Sequence, residues 1–145
     1  MKKALITCLL ASSPLLSHAT PCSGVDRTLS EAQRRAFAPA VERHLNQQLG
    51  PLVQTPITTA PQDILQVYRV GRWHIVYVDT HVSDEPFLFY AHAPDRSSAY
   101  LTSWAGAAPS DDGPPIRRWL SKQAPGMPQA LVKCFAWHVT VDRDM

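Results

Sequence analysis

The densest run of side chains able to hold or move protons is Asp79-Thr80-His81-Val82-Ser83-Asp84-Glu85. Residues two apart on a strand share a face, which would put Asp79 and His81 on one side, and Asp79 is the candidate for general acid/base work. The plainer reading is favoured: the run is a solvated turn, and Asp79 ends an apolar strand beside Tyr77 and caps the turn after it. A second set is His74, His92 and Asp95. Two imidazoles and a carboxylate are ligands for zinc or copper. His92 lies at the far end of the next strand, which brings it near His74 rather than near the Asp79–His81 end. A metal centre also needs further ligands and groups that orient them. Arg72, Trp73 and Ile75 around His74 supply neither carboxylate nor thiol. These histidines are therefore expected as half-buried sheet residues, with no metal and no other cofactor.

Recognisable catalytic patterns are missing from the sequence. There is no G-x-S-x-G turn for a hydrolase serine, no H-E-x-x-H, no zinc-spaced cysteine cluster, no EF-hand loop and no glycine-rich phosphate cradle. Cys134 and His138 are four apart, but a nucleophilic pair needs a reduced thiolate and a third, orienting group.

The compartment speaks against a free thiol. Lys2 and Lys3 precede an uncharged apolar run, Ala4 to Leu16, and small residues stand at Ser17 and Ala19. That is the layout of a cleavable secretory leader, and the run is too short for a membrane-spanning helix. Residues 1–19 are expected to be the signal peptide and 20–145 a single exported domain, periplasmic or secreted, with Thr20 as its first residue. Cys8 leaves with the leader. Cys22 and Cys134 remain, and two cysteines in an oxidising compartment read as a disulfide.

Two of the fourteen basic residues lie in the leader, so the exported part balances twelve basic against twelve acidic side chains. A neutral chain has no electrostatic case for nucleic acid, where phosphate neutralisation dominates affinity. It has no polybasic stretch for anionic lipid either, and no later segment is apolar enough to be transmembrane.

Positioning these residues requires an ordered set of elements. Thr28-Leu29-Ser30-Glu31 reads as a capping box with Thr28 as N-cap. It opens a helical stripe of Leu29, Ala32, Ala36, Phe37, Val41, Leu45 and Leu49. Pro39 should kink or split this helix, and Gly50-Pro51 stops it. The proline-rich stretch from Pro51 to Pro61 is extended and at best an edge strand. Strands are expected over 64–70, 73–80, 86–92 and 98–105, the first two joined by Gly71-Arg72 as a tight hairpin. Asp112-Gly113-Pro114-Pro115 opens a second helix with Ile116, Trp119 and Leu120 on its apolar side. Phe135, Trp137, Val139 and Val141 alternate with other residues, so 128–141 reads as a helical turn running into a fifth strand. The expected fold is α+β: an N-terminal helix packed on a four- to five-stranded antiparallel sheet, with a second short helix near the C-terminus. Whether the second face of that sheet is covered is left open by the pattern of aromatic residues.

The expected function is that of an exported, small, non-enzymatic binding protein of inhibitor or immunity type, its partner another envelope or secreted protein. Such a surface needs anchors, and Asp79, His81, Asp84 and Trp104 are the candidates. The alternative is a small metal-dependent or acid/base hydrolase using Asp79/His81 or His74/His92.

Overall fold

The structure, a computed structural model, describes residues 20–142. The expected leader over residues 1–19 and its expected cleavage site lie outside the described residues.

Helix α1 runs Glu31–Gln48. Its N-cap is Ser30 rather than Thr28: the Ser30 hydroxyl accepts from the Gln33 N–H, and the Gln33 side chain accepts from the Ser30 N–H. Thr28 is engaged elsewhere. Both its N–H and its hydroxyl donate to Asp26 Oδ1, at 2.8 and 2.7 Å, so a turn precedes the helix and the next short polar residue caps it. The helix continues through Pro39, which faces solvent, while Phe37, Ala38, Ala40, Val41, His44 and Leu45 are buried around it. Burial of that face holds the element together where one backbone hydrogen bond is absent.

Strands β1 (Ile64–Val70), β2 (Trp73–Val78), β3 (Pro86–Tyr90) and β4 (Thr102–Ala105) form an antiparallel meander in the order β1-β2-β3-β4. Val70 pairs with Trp73, and Gly71 (φ +57°) opens the two-residue turn between them, as a hairpin of this length requires. An irregularity between Ile64 and Gln66 expels Leu65 from the alternation. Val67, Val76, Val78, Leu88 and Tyr90 then face α1. Tyr68, Trp73, Ile75, Tyr77, Phe87 and Phe89 face the opposite way.

Every residue of β2 and β3 is buried, so the second face must be covered. The C-terminal segment covers it. Helices α2 (Gly113–Gln123) and α3 (Gln129–Trp137), with the turn that follows α3, place Ile116, Leu120, Leu131, Val132, Phe135 and Val139 against those aromatic residues. The chain is thus an α+β domain with helices on both faces of a four-stranded sheet. The expected fifth strand is α3 followed by a π-type turn over His138–Asp142. Apolar positions at 131, 132, 135 and 139 fit a helix as well as 135, 137, 139 and 141 fit a strand, and a short apolar run does not decide between them. A helix can lie across the uncovered face, which decides it. The stretch after α1 contains short 3₁₀ turns, Gly50–Leu52 and Pro61–Asp63, rather than an edge strand.

Cys22 and Cys134 are bonded, with Cα atoms 4.4 Å apart. The bond ties the N-terminal segment to α3. Further along that segment, Asp26 and Arg69 exchange backbone hydrogen bonds of 2.9 and 2.8 Å along β1.

His44 projects from α1 toward the sheet and is fully buried. Nε2 lies 2.9 Å from the Ser97 carbonyl oxygen and Nδ1 3.2 Å from the Tyr90 hydroxyl. A carbonyl only accepts, so Nε2 carries the proton and Nδ1 accepts from Tyr90. Burial lowers the pKa of His44 and, chiefly by the same cause, that of His74, both from an ordinary value of 6.5. Below pH 6.5 the unfolded chain binds protons at these two rings, and the folded chain binds them only at lower pH. Stability is therefore fully present above that pH and falls as pH drops below it, by at most about 1.4 kcal/mol per pH unit for each ring. Urea unfolding at pH 7.5, 6.5 and 5.5 is expected to show the decline begin between the last two. The slope should flatten in a His44→Gln/His74→Gln variant.

Candidate functional site

The register of the sheet gives it two chemically different ends. Tyr77 pairs with Phe87 and Phe87 with Trp104, so the loop after β2 and the far end of β4 share one end. His74 pairs with Tyr90, which puts His92 and the segment after it at the other, beside the β1–β2 turn.

At the first end, β2 stops at Val78 and the chain turns. His81 adopts φ +58°, a left-handed conformation uncommon for a residue with a Cβ. Asp79 and His81 are therefore not strand neighbours sharing a face, yet they do meet. Asp79 Oδ1 accepts the His81 backbone N–H at 2.8 Å and lies 3.3 Å from its Nδ1. Sequence reasoning missed the third member, Asp63. Its Oδ1 is 3.0 Å from His81 Nε2, and its Oδ2 accepts the Ala60 N–H at 2.7 Å. Asp63 is buried where His81 is exposed. The Asp79 N–H also donates to the Asp63 carbonyl oxygen at 2.9 Å. The signal for Asp63 lay in the hairpin: pairing 70 with 73 and counting back brings 63 beside the residues just past β2.

Both ring nitrogens of His81 thus face carboxylates. The imidazole is positioned as a clamp between two chain segments rather than as a base with a free lone pair. The clamp holds the loop beyond it. Thr80 is buried, its hydroxyl 3.1 Å from that of Ser83, while residues 81 through 85 are all exposed. Asp84 and Glu85 carry the charge of this loop, and Val82 is 45% exposed. Trp104 stands on β4 at the same end but leans onto the second face. Its ring meets Trp119 edge-on at 5.2 Å, and its Nε1 donates to the Gly106 carbonyl at 2.8 Å. Trp104 and Trp119 stay half-buried and border a small apolar hollow with Pro115 and Ile116.

At the second end the structure brings His74, His92 and Asp95 to one cleft of about 450 Å³. Ala32 and Ala36 of α1 form its low wall: the N-terminal half of the apolar stripe faces this opening instead of the core. Three arginines that no spacing pattern announced, Arg69, Arg72 and Arg96, also line it. Arg69 forms an ion pair with Asp26 and holds that carboxyl well below the usual range. Arg72 and Arg96 have no carboxylate within ion-pair distance among the described residues, and Arg72 lies over the Trp73 ring at 5.8 Å. His74 sits at the floor, 6% exposed. Its Nδ1 donates to the Arg72 carbonyl at 2.8 Å, and the ring meets Phe37 edge-on at 6.0 Å. Burial holds the ring toward its neutral form, and the charge of Arg69 adds to that.

Among the described residues no group of three or more His, Cys, Asp or Glu side chains is gathered for a metal ion, and no helix is long and apolar enough to cross a membrane. Compared with known protein families, curated proteins and solved structures, the chain matches none of them.

Proposed function

We propose that this chain is an exported, non-enzymatic binding protein of inhibitor or immunity type, and that it engages a basic surface of another envelope or secreted protein through the loop around Asp84. One observation carries the reading. Residues 81 through 85 are exposed in succession, while the base of the loop is fixed by His81 between Asp63 and Asp79. A projecting segment held in one conformation loses little freedom on binding, which is how a small rigid scaffold gains affinity. The acidic pair Asp84 and Glu85 supplies the complementarity that steers a partner and selects it, and Val82 adds an apolar contact. The disulfide and the two-sided core keep the scaffold stiff. Asp79 and His81 serve by shaping the loop, and Trp104 by bounding it on the β4 side.

The test is capture from envelope extract on immobilised protein, with a charge-reversed Asp84→Lys/Glu85→Lys variant beside it. The wild-type protein is expected to retain a specific partner that elutes with rising salt. The variant should lose at least tenfold of that binding while its melting temperature stays unchanged, since both substituted residues are exposed. Equal capture by the reversed loop would reject this surface.

A further inference from the structure

The cleft at the opposite end is a separate site with its own chemistry. We propose that it binds the phosphate group of a small ligand, and that the ring of His74 selects for a phosphate still carrying a proton.

The charge comes first. Arg72 and Arg96 reach the cleft without a carboxylate partner among the described residues, whereas Arg69 is neutralised by Asp26. Asp95 is the single carboxylate on the lining, so the balance stays positive. Guanidinium groups present paired N–H donors suited to phosphate oxygens. The volume, about 450 Å³, falls in the range of pockets for small organic molecules. A phosphate monoester bound as its monoanion, the form that keeps a P–OH, therefore fits the volume better than a bare ion.

His74 gives the selectivity. The Arg72 carbonyl can only accept, so it fixes the ring proton on Nδ1. Nε2 is then an acceptor. It has no hydrogen-bond partner among the described residues and is not sealed from solvent. The Nδ1 hydrogen bond to the Arg72 carbonyl holds the ring in this orientation. A lone pair aimed at an oxyanion repels one with no proton, such as sulfate, and accepts a hydrogen bond from one that has a P–OH. The groups around it are Arg69 and Asp26 on the β1 side, Arg72 in the turn, His92, Asp95 and Arg96 after β3, and Gln33 on α1. Of these, Asp95, His92 and Asp26 also carry acceptors for the ligand's proton, Asp26 being engaged by Arg69, and each acts in the same direction.

Isothermal titration of the exported chain, disulfide intact, with inorganic phosphate and with sulfate at pH 7.5 tests the proposal. Phosphate is expected to bind at least tenfold more tightly. Arg72→Glu and Arg96→Glu should each weaken phosphate at least tenfold. His74→Gln, whose amide can donate as well as accept, should bring the ratio of the two anions toward one. The wild-type ratio decides the matter even where that variant folds poorly. Sulfate bound as tightly as phosphate, no phosphate binding at millimolar concentration, or full affinity in the arginine variants would overturn the site. Co-sedimentation with vesicles of phosphatidic acid in phosphatidylcholine then assigns the source. Pelleting lost in Arg96→Glu places the phosphate on a lipid headgroup, and phosphate binding without pelleting places it on a soluble ligand. Loss of the acidic-loop interaction leaves all of these measurements unaffected.

Discussion

Reduction of the Cys22–Cys134 bond is expected to lower the stability of the domain by about 4–5 kcal/mol, the chain-entropy value for a loop of this length. The two cysteines are 112 residues apart, so the bond closes nearly the whole described chain and removes many unfolded conformations. Its structural consequence is local. Cys134 is fully buried in α3, and Cys22 lies half-buried against the same core. Without the bond, the segment from Thr20 to Asp26 keeps its backbone pairing with Arg69, the Asp26–Arg69 ion pair and the packing of Val25 on the core. Urea unfolding with and without reductant measures the loss, and Cys22→Ser should reproduce it without emptying the core. Equal midpoints under the two conditions would contradict the expectation.

Phe87→Ala is expected to cost about 3–5 kcal/mol, the range for deleting a large buried aromatic side chain. Phe87 is fully buried on β3. Its ring stacks on Tyr77 at 4.3 Å and meets Phe135 edge-on at 5.3 Å, with His138 at 5.6 Å on another side. The side chain therefore joins the sheet to α3, and the cavity would open between two layers that cannot collapse independently. Thermal unfolding followed by circular dichroism should show a large fall in midpoint. A substitution on a solvent-facing position, such as Ser121→Ala, should leave the midpoint nearly unchanged. A Phe87→Ala loss below about 1 kcal/mol would mean that the second helical layer contributes little to the fold.

Strand order and hairpin position were legible in the sequence because they are set by neighbours along the chain. Gly71-Arg72 between two β-rich runs leaves one way to fold back, and alternating residues then choose their faces. The pairing of Cys22 with Cys134 came from count, and the nearness of His74 to His92 from strand length. Other features rest on contacts distant in sequence. Segment 128–141 fits a helix and a strand equally well in isolation, and the bare aromatic face of the sheet selects the helix. Thr28 and Ser30 are both good N-caps, and the capture of Thr28 by Asp26 leaves the role to Ser30. Asp63 joins His81 only because the strand register lays the two chain ends side by side. The cleft gathers Arg69, Arg72 and Arg96 from three separate places, each with an ordinary sequence neighbourhood. A helix or a turn is a local choice among few conformations, so the sequence determines it. A site is a convergence of side chains, and only the tertiary packing decides which of them meet.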